Sequence, residues 1–134
     1  MSDLKEKLAA ARAAKEAKEA SAREAAEARE LESLELEAKL EKELGPRGVS
    51  FEMIDTVEGP VAVKLGEAVL HTRFQSSKDI NDAAIHDYVF PNVAHPSKEK
   101  YLEIVARRPG IALRCAGALA TLYGVKASND AGKF

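Results

Sequence analysis

Before Gly45 the chain contains no glycine, proline, valine, isoleucine, threonine or aromatic residue. That stretch therefore lacks both the turn formers and the β-branched and ring side chains that build sheets and ordinary cores, so strands and an independent core are excluded there. The 134-residue chain also lacks tryptophan and has a single cysteine, Cys115. One thiol cannot make an intramolecular disulfide framework and agrees with a reducing compartment, so the expected location is the cytoplasm. No apolar run approaches the length of a membrane span, and the N-terminus alternates charge with alanine instead of presenting an apolar signal core. Net charge is −2, with nine basic and twelve acidic residues before Gly45 and eleven and ten after it. Neither part has the positive excess of a nucleic-acid binder.

What does fill residues 1–44 is alanine, leucine, glutamate, lysine and arginine, the strongest helix formers, with no breaker before Gly45-Pro46. One long charged helix is predicted, roughly 60 Å at the usual rise per residue. Its apolar stripe begins with Leu4, Leu8 and Ala11 and continues on alanine alone. It ends either on Leu31, Leu34 and Ala38 or on Leu36, Leu40 and Leu44. A solvated spacer and a partner-docked or self-associating helix both fit this pattern.

Residues 45–48, Gly-Pro-Arg-Gly, read as a linker, and residues 49–124 as a small globular domain. "VSFEMIDTV", "PVAVKL" and "AVLHTRF" alternate apolar and polar residues and are separated by Glu58-Gly59 and Gly66-Glu67. They predict a three-stranded antiparallel meander, with Val61, Val63 and Leu65 inward and the facing of the third strand open between two registers. Three short helices follow. The first carries Ile80, Ala84, Ile85, Tyr88 and Val89 on one face, starts at Ser77 and stops at Pro91. The second, capped by Ser97, buries Tyr101, Leu102, Ile104 and Val105 and ends at Pro109-Gly110. The third presents Ile111, Cys115, Ala118, Leu119 and Leu122, with Gly124 as its stop and residues 125–134 as a flexible tail. The expected fold class is α+β.

Candidate chemistry is sparse. Arg107-Arg108-Pro109-Gly110 follows a helix, holds one glycine and loses a donor to proline, so it reads as an interhelical corner whose arginines could rim an acidic partner site, rather than as a phosphate loop. His71, His86 and His95 lack metal-ligand spacing, and Cys115 falls on an apolar helix face where a core thiol is expected. No catalytic constellation, metal site or cofactor site is predicted. The expected class is a non-enzymatic binding protein whose anchors are Phe74, Tyr88, Phe90 and Tyr123, with Arg107, Arg108, Leu31 and Leu34 beside them.

The order "FEMIDTVEGPVAVKLGEAVLHTRF", then Asp87-Tyr-Val-Phe-Pro91, then Arg108-Pro-Gly-Ile111 before a helix ending Leu122-Tyr123-Gly124, resembles the small tail assembly chaperones of long-tailed bacteriophages and prophage elements. The resemblance covers about 75 of the 134 residues and leaves out the helix before Gly45. It implies a cytoplasmic protein, absent from the mature virion, that binds the tape-measure protein, and the major tail protein as a further partner, while the tail tube assembles. It also implies a longer frameshifted form, for which Ala131-Gly132-Lys133 could encode a slippery run. The alternative from another class is a coiled-coil structural or adaptor protein, a homo-oligomer joined through residues 1–44.

Overall fold

The computed structural model describes residues 2–131; the end of the expected tail, with the Gly132-Lys133 frameshift position, lies outside the described residues. The architecture is α+β, with a long N-terminal helix, a three-stranded antiparallel sheet and shorter helices. The chain divides into two compact units, Met1–Glu32 and Ser33–Phe134. This boundary falls inside the first helix, α1 (Ser2–Leu44), and not at Gly45. In the first unit nearly every described side chain is exposed.

The second unit begins with the last turns of α1. Leu36 and Leu40 are buried there against Phe51, Met53 and Ala62, with Leu44 packed beside them. Of the two stripes open in the sequence, the structure selects Leu36/Leu40/Leu44; Leu31 and Leu34 stay 57% and 56% exposed. The expected linker is a tight turn. Gly45 donates its N–H to the Glu41 carbonyl with φ 121°, a left-handed conformation that favours glycine. Arg47 then bridges Glu37 on α1 and Glu52 on the first strand.

β1 (Phe51–Thr56) and β2 (Gly59–Lys64) form a hairpin in which Met53 pairs with Ala62 and Ile54 with Val61. Because side chains alternate, Phe51 and Met53 meet the leucines of α1 on one face. Ile54, Val61 and Val63 enter the main core on the other. Pro60 to Val63 are consequently all buried, as expected of a central strand covered on both sides. Part of the outer edge of β1 is occupied by other groups. Glu52 Oε1 accepts from the Met53 N–H at 2.9 Å, Gly48 N–H reaches the Phe51 carbonyl, and Arg114 donates to the Asp55 carbonyl at 3.3 Å.

The third strand is not where the alternation places it. Ala68–Gln75 is a helix, α2, and the strand that pairs with β2 is Val93–His95, β3, so the sheet has the order β1-β2-β3 but is not a contiguous meander. "AVLHTRF" is short enough to satisfy either period, and its Leu70 and Phe74 lie a helical turn apart, both packed against the core. β3, at three residues, is too short to show any period and joins β2 across a register shift.

α3 (Asp82–Val89) starts later than expected. Asn81, not Ser77, accepts the Ala84 N–H, leaving Ile80 exposed outside the helix. A 3₁₀ turn, Phe90–Asn92, leads into β3. α4 (Lys98–Arg107) is capped by Ser97 as expected, and buries Tyr101 and Ile104 but not Leu102. α5 (Gly110–Ala131) runs through Gly124 without stopping, so residues 125–131 are helical where a tail is expected. Its Ile111, Cys115, Leu119 and Leu122 form the spine of the main core. Among the described residues no helix is long and apolar enough to cross a membrane.

Tyr101 is 1% exposed, and its hydroxyl has no hydrogen-bond partner among the described residues. An unpaired buried hydroxyl costs more than it contributes. Tyr101→Phe is therefore expected to raise the unfolding free energy by about 1 kcal/mol in a urea titration. A loss of that size would show that the hydroxyl is satisfied in solution.

Candidate functional surface

Four rings converge where α2 lies on α3 and α5. Tyr88 of α3 and Tyr123 of α5 have ring centroids 6.5 Å apart, and α2 lays His71 and Phe74 over them. Phe74 stacks on Tyr88 at 4.4 Å and His71 on Tyr123 at 4.4 Å. His71 Nδ1 also lies 2.8 Å from the Tyr88 hydroxyl. The Tyr123 hydroxyl accepts the Gly66 N–H at 3.0 Å and donates to the Glu67 carbonyl, holding the segment that leads into α2. Beside this cluster is an open groove of about 470 Å³, lined among others by Ala68, His71, Gln75, Tyr123, Gly124 and Lys126.

Tyr88 and Tyr123 are thus core residues, 1% and 6% exposed, and not the free anchors expected from the sequence. Part of the reason is α2, a helix that lays His71 on Tyr123 and Phe74 on Tyr88. Burial pushes the Tyr88 phenol well above its ordinary range, with a smaller contribution from Tyr123. Phe74 is half-buried on Tyr88, and Phe90 is half-buried between the His86 ring at 4.9 Å and Lys98 Nζ at 5.4 Å.

The arginine corner is engaged within the chain. Arg107 meets Glu58 Oε1 through Nε at 2.7 Å and through Nη2 at 2.6 Å, and Arg108 Nε lies 3.6 Å from Oε2. Glu58 sits in the β1–β2 turn, so the pair ties the α4–α5 corner to the hairpin. Both guanidiniums stay more than half exposed, yet a partner carboxylate would have to compete with Glu58.

Cys115 is wholly buried, and desolvation pushes its thiol up to about 12, against a small opposing effect of Arg114. It is a protonated core residue at neutral pH and not a nucleophile. His71, His86 and His95 do not converge: among the described residues no three His, Cys, Asp or Glu side chains are placed to hold a metal ion. The sequence reading missed the pairing of His71 with Tyr88. The available signal was Leu70, His71 and Phe74 at helical spacing. No protein-family model, curated protein or solved structure matches the chain.

Proposed function

We propose that the chain is a non-enzymatic tail assembly chaperone that binds apolar helical segments of a phage tape-measure protein and keeps them in solution while the tail tube forms. The observation that supports this reading is the end of α1. Leu36 and Leu40 are committed to the sheet while Leu34 of the same unit stands more than half exposed, and in the first unit Leu31 is exposed as well, so α1 carries apolar side chains that the core does not use. Phe74 and Phe90, both half-buried, add ring area at the surface of the globular unit.

The test is co-expression of the full chain with a tape-measure fragment, followed by size-exclusion chromatography. Wild type is expected to keep the fragment in the soluble, co-eluting fraction, and Leu31→Glu/Leu34→Glu to lose it without changing its own melting temperature. Equal retention by both would remove the end of α1 from the binding surface, and no retention by wild type would end the chaperone reading.

A second reading, a coiled-coil adaptor, draws on Leu4 and Leu8, which are exposed near the start of α1. Light scattering of the chain alone separates the two: a stable oligomer abolished by Leu4→Glu/Leu8→Glu favours the adaptor.

A further inference from the structure

α2 has no fully buried residue, and the Glu67 side chain makes no cap hydrogen bond at its start. Its hold on the core is largely lateral, through Leu70, His71 and Phe74, and among the described residues the one hydrogen bond from an α2 side chain to α3 or α5 is that of His71 to Tyr88. Tyr88 is buried, so its hydroxyl is best satisfied by donating to an unprotonated Nδ1. A protonated His71 carries hydrogen on that nitrogen, which obliges the Tyr88 hydroxyl to turn its own hydrogen away from its acceptor.

We propose that His71 is a pH-operated latch: neutral, it fastens α2 over Tyr88 and Tyr123, and protonated, it lets α2 come away and bare both rings. The charges around it act in the same sense. From α3 it faces the Tyr88 hydroxyl; from α5 it faces the Tyr123 ring, and Lys126 lines the same groove. On α2 itself the nearest charged residue along the chain is Arg73, and the Glu67 carbonyl, not its carboxylate, is what the cluster engages. Among the described residues no carboxylate side chain lines the groove to welcome a new positive charge. The face of Tyr123 offsets part of that cost by attracting a cation. Burial holds the imidazole below its ordinary value, so the closed state has its full stability above that value and loses it as pH falls through the lowered one. This inference does not depend on the identity of any partner.

Hydrogen exchange of the full chain, corrected for intrinsic rates, at about pH 5.5 and about pH 7.5 brackets the ordinary histidine value near 6.5. Protection across residues 66–76 is expected to fall severalfold in acid, with about tenfold as the ceiling for a single histidine, while that of residues 111–123 holds, as for a local opening. His71→Gln, which can still bond Tyr88 but does not titrate, is expected to show no such loss. Unchanged protection in wild type, or an acid loss that persists in His71→Gln, overturns the latch. Should His71→Gln fail to fold, an NMR titration of the wild-type imidazole decides: a midpoint below about 6.5 that coincides with loss of the α2 amides supports the latch, and any other result defeats it.

Discussion

Removing residues 1–44 lowers the unfolding free energy of the globular unit by about 3–6 kcal/mol, whereas removing residues 1–32 leaves it within about 0.5 kcal/mol. The larger figure comes from Leu36 and Leu40, both buried on the sheet, at roughly 1.5–3 kcal/mol for each leucine taken from water. Their loss also uncovers Phe51, Met53 and Ala62 on the face of β1 and β2 opposite the main core. Cutting before Ser33 spares every member of both clusters and leaves a serine, a good N-cap, at the new helix start. The measurement is a urea titration followed by tyrosine fluorescence. All three tyrosines, Tyr88, Tyr101 and Tyr123, lie in the main core, so the signal reports the globular unit and is blind to the rest of α1. Equal midpoints for the two deletions would mean that the last turns of α1 contribute nothing to the sheet. This result also decides how partner binding should be mapped, since a 1–44 deletion confounds lost contact with lost stability and a 1–32 deletion does not.

The second large effect is at Gly66, where the chain leaves β2 for α2. A Cβ there would sit 1.9 Å from Asn92 Oδ1. Asn92 cannot step aside cheaply, because it is 2% exposed and its Nδ2 donates to the Tyr88 carbonyl at 2.8 Å. Gly66→Ala is expected to destabilise by about 1–3 kcal/mol, the usual cost of forcing extra volume into a packed site. At Gly124, in the interior of α5, an added Cβ meets nothing within 4 Å. There the same substitution is expected to stabilise by about 0.5–1 kcal/mol through helix propensity. Thermal melts of the two variants should shift in opposite directions. A neutral Gly66→Ala would show that the lead-in to α2 can move, which bears on how firmly α2 is seated.

How much of the surface was legible followed from how local each signal is. Ser97 capping α4, Ile111, Cys115, Leu119 and Leu122 on one face of α5, and Val61 with Val63 inward on β2 all follow from side chains within a turn or two of one another. The misreadings share a different feature. For "AVLHTRF", seven residues satisfy a period of two as well as one of 3.6, and the choice is made by the rings of Tyr88 and Tyr123, some fifteen to fifty residues later in the chain. Once that segment is a helix, two expected surface anchors become core. Phe74 stays at the surface only in part, and Phe90 finds His86 and Lys98.

The sequence by itself determined that residues before Gly45 form a helix without strands, that the remainder is α+β, and where the α4–α5 corner falls, because propensity, capping and breakers act within a few residues. Only the tertiary structure decided which leucines of α1 are core, which segment completes the sheet, and that Arg107 and Arg108 close on Glu58. Each of those choices balances two nearly equal local options, and contact with a distant part of the chain tips it by burying area or pairing charge that neither option holds alone.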